Sequence, residues 1–183
     1  MNFLKKFQAE EKAVCIYLSL GVLFFLFFDY SISKFFYNIN SQTKSLFETL
    51  THFGDSLYFF VPTIIIWAFI KIIQNKNKIL LTISDISIFI FFNVLFSGII
   101  VQIFKHLLGR PRPPMFHLFN LSSPDFFQFD SKWHSFPSGH TATIFAFIFC
   151  LIFLFPKIKN ILISIAMIIA STRVIVGAHY VSD

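Results

Sequence analysis

Long runs of Phe, Ile and Leu alternate along this chain with short polar breaks, and the runs are too uniformly apolar to be amphipathic helices on a soluble core. Five of them read as membrane spans, at 13–28, 57–73, 84–104, 141–155 and 161–176. Each approaches the roughly 20 residues that a helix needs to cross a bilayer. The first follows Lys5, Lys6 and Lys12 as a signal peptide would, but lacks a small-residue cleavage site. It therefore reads as an uncleaved helix that stops at Asp29. Residues 29–56 read as a mixed polar and aromatic loop with room for a short interfacial helix near Leu46. The pattern predicts an all-α fold, a polytopic membrane helical bundle forming one domain over residues 1–183.

One segment interrupts the rhythm. From Lys105 to His140 the chain concentrates basic, proline and glycine residues, opening on Lys105 through Arg112-Pro113 and closing on Pro137-Ser138-Gly139-His140. A polar island of this kind between apolar helices predicts a site at the membrane face.

Composition narrows the reading further. With 56% hydrophobic and 13% charged residues and a mean hydropathy of +0.72, the chain is not a soluble globule. The net charge of +6 sits at span ends rather than along a continuous stripe, which argues against nucleic-acid binding. Cys15 and Cys150 both lie inside apolar runs, without disulfide or zinc spacing. Counting spans puts the N-terminus and the turns around 71–78 and 156–160 on one side, with eight lysines in short connections. The other seven basic residues spread over much longer loops, so the N-terminus is predicted to be cytoplasmic and the island to face the periplasm or exterior.

Three clusters then fall on the outward face: Lys105 with Arg112, Pro137 through His140, and Arg173 with His179 and Asp183. Together they suit phosphoryl transfer, which must neutralise three non-bridging oxygens and hold nucleophile and leaving group in line. Lys105, Arg112 and Arg173 supply the cations, and a guanidinium fork can grip two oxygens at once. Ser138 offers a hydroxyl, and Gly139 lets a backbone amide approach at a helix N-terminus. His179 and Asp183 are four apart, the spacing of one helical turn, so the carboxylate can orient an attacking imidazole. His140 is then free to protonate the departing oxygen.

These residues resemble the three signatures of the type 2 phosphatidic acid phosphatase superfamily, in its membrane-bound bacterial lipid phosphatase branch. The match is Lys-x6-Arg-Pro from Lys105, Pro-Ser-Gly-His from Pro137, and Arg173-x5-His179-x3-Asp183, with Thr172 where the family usually has serine. The resemblance implies a phosphohistidine on His179, acid catalysis by His140, and phosphate contacts from Lys105, Arg112, Ser138, Gly139 and Arg173. It implies no metal and no cofactor. It also implies six spans, so that five are present and a last transmembrane helix is expected after Asp183. The expected substrate is a lipid phosphate monoester or pyrophosphate held in the bilayer: undecaprenyl pyrophosphate, phosphatidylglycerol phosphate, phosphatidic acid or a lipid A phosphate. The expected location is a bacterial inner membrane. The alternatives are a truncated, catalytically silent binding or assembly protein and a lipid phosphotransferase, and the oligomeric state is left open.

Other polar residues read as structural. His52, His106, His117 and His134 are expected at the surface or against headgroups, and Arg110 either touches substrate or anchors at the interface. Trp133 and Phe136 are candidates for an apolar lip beside His140.

Overall fold

The first helix does not stop where the sequence suggested. In the computed structural model, which describes residue 16, residues 19–74 and residues 77–183, α1 runs over Ser19–Tyr37. It includes a π-helical turn at Phe24–Phe28. Asp29 is no terminator because it is 1% exposed, its carboxylate held by Arg110 instead of by water. Lys5, Lys6, Lys12, Cys15, Lys76 and the start of the predicted first span lie outside the described residues.

The predicted loop at 29–56 is likewise mostly helix. α2 spans Ser41–Thr51, started by the Asn40 side chain, which accepts the Gln42 N–H at 2.9 Å. A 3₁₀ turn at His52–Gly54 leads into α3, Leu57–Ile72, whose first N–H donates to the Asp55 carboxylate. α4 covers Lys78–Leu108 and is capped by Asn77. Its 31 residues give a rod of about 46 Å, longer than the roughly 30 Å hydrocarbon core, so at least one end stands among headgroups. The short α5, Pro113–Phe119, precedes an irregular segment. α6, Gly139–Leu154, and α7, Lys159–Ile175, complete the described helices, and no strand occurs among the described residues.

Four stretches are long and apolar enough to cross a membrane: Ser19–Tyr37, Ser41–Ile72, Lys78–Phe119 and Pro156–Ile175. Gly139–Leu154 is a shorter apolar helix. α3 packs on α4, α4 on α6 and α6 on α7, while α7 also meets α1 and α2. α6 is the centre. Its Ala146 and Cys150 join Ile90 and Val94 of α4, and its Ile144 and Ile148 join Leu162 and Ala166 of α7. Each pair is spaced i, i+4, and the two pairs on α6 are offset by two residues, so one helix serves two partners from nearly opposite faces. Elsewhere large side chains point away from the bundle; Ile72 is 78% and Phe153 79% exposed. Such surfaces fit acyl chains, and because lipid provides no hydrophobic drive between helices, close contact at small residues such as Ala146 and Ala166 carries the packing. The protein is a multi-pass, all-helical membrane bundle.

Candidate active site

Local backbone chemistry turns the end of α4 into one wall of a cavity. Lys105 occupies its last turn, and the helix ends on Gly109 in the left-handed region at φ +51. A Cβ at that position would lie 1.5 Å from the Asp125 carbonyl oxygen, so only glycine fits. Pro111 and Pro113 then force the residues before them out of helical geometry, and Arg112 is extended at φ −73, ψ 159. Two backbone bonds pin this run. Arg112 N–H donates to the Lys132 carbonyl at 2.9 Å, and Ser135 N–H donates to the Arg110 carbonyl at 3.0 Å.

The second wall is the start of α6. Ser138 is its N-cap, its hydroxyl oxygen facing the Thr141 N–H at 3.4 Å and the Thr141 hydroxyl at 3.0 Å. Gly139 follows, and a Cβ there would sit 3.5 Å from Lys105 Nζ. Glycine thus keeps the space beside the ammonium open. The third wall comes from the end of α7. Gly177, at φ +74, reverses the chain, and the N–H groups of Ala178 and His179 both donate to the Arg173 carbonyl.

A cavity of about 600 Å³ results, lined by Lys105, Arg112, Gly139, His140, Arg173 and His179. Six of the eight sequence-predicted site residues therefore share one space, drawn from positions 74 apart in the chain. Ser138 and Asp183 do not line it. The Ser138 hydroxyl oxygen accepts at the helix cap, and Asp183 lies behind His179. Among the described residues, Asp55 is the one acidic side chain in the lining, against three basic ones. Arg173 Nη1 donates to Thr51 Oγ1 at 3.0 Å, but Nε of Arg112 and Nε of Arg173 are buried without a hydrogen-bond partner. Three cationic side chains around one cavity suit an anion.

His179 is 3% exposed. Its Nδ1 lies 2.7 Å from the Ser135 carbonyl, which can only accept, so Nδ1 carries the proton and Nε2 keeps its lone pair. Asp183 Oδ2 is farther off, at 3.4 Å. Burial pushes the imidazole pKa down to about 4 in spite of that carboxylate. Burial opposes the charge on Asp183 too, yet His179, the Arg110 guanidinium and the Ser135 hydroxyl together hold it below the usual carboxylate range.

His179 and Asp183 do not lie on a helical turn, because α7 ends at Ile175 and Gly177 breaks the chain out of helix. A tight turn, with Asp183 N–H donating to the Tyr180 carbonyl at 3.3 Å, brings them together instead. Arg110 is no interfacial anchor either; it is 5% exposed and paired with Asp29 and Asp183. Two histidines read as surface groups are built into the scaffold. His134 is buried with Nε2 2.9 Å from the Gln128 carbonyl, and His117 bonds Ser33 and stacks on Tyr37. Sequence reasoning missed Asp29, Thr51 and Ser135. Only Asp29 left a signal, as a carboxylate amid apolar residues that needs a partner.

Comparison with known proteins places the chain in a family. The family model of the PAP2 superfamily matches residues 87–183. The chain is similar to a lipid A 1-phosphatase of Rhizobium johnstonii, 35% identical over 178 residues, which is 92% of this chain and 72% of that protein. It is also similar to a lipid A 1-phosphatase of Rhizobium etli, 35% identical over 150 residues, 78% of this chain and 64% of that one. No solved structure matches the chain. On its motifs, its helical fold and these relatives, the chain belongs to the PAP2 superfamily and is a membrane phosphatase of that family.

Proposed function

We propose that this lipid phosphatase removes a phosphate monoester from a lipid A type glycolipid through a phosphohistidine on His179. The observation that carries the reading is the cavity where three basic side chains and two imidazoles meet, with two buried guanidinium Nε atoms unpartnered. The names of the two relatives favour lipid A phosphate over the other lipids considered.

In this reading Lys105, Arg112 and Arg173 hold the non-bridging oxygens, and Gly139 leaves room for them. Nε2 of His179 attacks phosphorus, the P–N bond forms, and the ester P–O bond breaks. His140 gives its proton to the departing sugar oxygen. It then takes a proton from water as that water attacks phosphorus, breaking the P–N bond and releasing inorganic phosphate. Ser138 supports the cradle as the cap of α6, and Asp183 supports His179 from behind. The chain acts as a single domain in the bacterial inner membrane, its N-terminus cytoplasmic and the cavity outward.

Purified protein in detergent should release phosphate from lipid A carrying a 1-phosphate, in excess chelator, and His179→Ala should lose at least about 1,000-fold of that rate, as expected when a covalent nucleophile is removed. Faster release from undecaprenyl pyrophosphate would reassign the substrate, and a fully active His179→Ala would refute the mechanism. For orientation, Lys132 is exposed beside the site. A cysteine there should react with an impermeant maleimide on cells whose inner membrane is intact; reaction only after lysis would reverse the topology.

A further inference from the structure

Behind His179 and its partner Asp183 lies a buried charge pair, Arg110 with Asp29, that the reaction above does not use. Arg110 Nη2 donates to Asp29 Oδ2 at 2.7 Å, and Nη1 donates to Asp183 Oδ1 and to Ser182 Oγ. The guanidinium plane is held between two rings, with its carbon 4.7 Å from the Phe25 centroid and 4.3 Å from that of Tyr180. Asp29 also accepts the Ser182 N–H at 3.1 Å and its hydroxyl at 2.5 Å, so both of its oxygens are engaged. On the far side, Asp183 Oδ2 accepts the Ser135 hydroxyl at 2.5 Å and the Tyr180 N–H at 2.8 Å. Ser135 in turn donates its N–H to the Arg110 carbonyl and receives His179 Nδ1 on its own carbonyl.

The connections run in one direction, from α1 through Arg110 to the two groups that fix the His179 ring. Arg110 does not line the cavity, so it is no phosphate ligand. Replacing a buried ion cluster by apolar residues often leaves stability unchanged, so stability alone is a weak reason for this one. A planar fork that must satisfy carboxylates on opposite sides does fix position.

We propose that Arg110, anchored by Asp29, is a positioning residue for the phosphatase reaction: it holds Asp183 and Ser135 so that Nε2 of His179 faces phosphorus. The proposal rests on His179 being the nucleophile. It makes α1 part of the catalytic apparatus, although α1 contributes nothing to the cavity lining.

The test is steady-state kinetics of Asp29→Asn, Arg110→Lys and the double variant in detergent, on fractions shown folded by gel filtration and circular dichroism. Misplacing a reacting group by about 1 Å can lower a rate on the order of 100-fold. Each single variant should lose about 10- to 100-fold in kcat, while KM and the inhibition constant of inorganic phosphate stay within about twofold. Because the two act as one unit, the double variant should be no slower than the slower single one. Unchanged kcat, losses confined to KM or the phosphate constant, or multiplied losses in the double variant would each overturn the proposal. Failure of every variant to fold would overturn it too, making the cluster a folding element. His179→Ala run in parallel separates the two ideas, since an active His179→Ala defeats the nucleophile assignment whatever Arg110 does.

Discussion

An imidazole accepts a phosphoryl group only while one ring nitrogen keeps its lone pair, and the surroundings of His179 protect that state. Unfolded, a histidine titrates near 6.5, whereas burial takes His179 down to about 4. Between those values the unfolded chain binds a proton that the folded one refuses, so this residue's contribution to stability falls as pH drops from about 6.5 to about 4. Activity has a different window. The nucleophile should be fully available at neutral pH, so the acid limb of kcat/KM should fall only near about 4, while a separate alkaline limb follows loss of the proton that His140 must donate. Asp183→Asn, by removing a charge that raises the pKa, should move that acid limb lower still. A pH-rate profile checks both, and an acid limb near 6.5 would mean that the attacking histidine is solvated. The six residues that share the cavity were legible from motif spacing alone. Their partners were not, because Asp29 and Arg110 are 81 residues apart and no local pattern links them.

Elements were legible where hydropathy alone decides them. α3, α6 and α7 begin and end within two residues of expectation, since each is an apolar run closed by a polar turn. α1 and α2 were harder. A charged residue in an apolar run signals an end only if it reaches water, and Asp29 reaches Arg110 instead. The elements around the cavity depend on how sharply they stop. Gly109 is the clearest case, because it releases Arg110 and Arg112 from α4 directly against Asp125. Gly109→Ala combines left-handed strain of roughly 1–2 kcal/mol with an overpacking penalty of roughly 1–3 kcal/mol. The expected loss is about 3 kcal/mol, read as a lower thermal midpoint and a reduced folded yield in detergent. A midpoint equal to the native one would show that the Asp125 segment can move aside freely.

At the scale of the whole molecule, an apolar exterior carries a small cationic chamber at one end of the bundle. Its exposed phenylalanines and isoleucines favour acyl chains, while Lys105, Arg112 and Arg173 favour the headgroup phosphate. That division explains how one lipid can stay in the bilayer while its phosphate reacts. The membrane character and the common face of the three motif clusters followed from span counting, whereas the burial of the Arg110 cluster follows only from how the helices pack. The central claim is that phosphate passes through His179 before it meets water, and stereochemistry tests it most directly. A lipid A analogue whose 1-phosphorothioate is chiral through two oxygen isotopes, hydrolysed by the purified protein in water of the third, should give inorganic thiophosphate with retained configuration, the result of two in-line displacements. Inverted configuration would mean a single direct attack by water and would contradict the phosphohistidine.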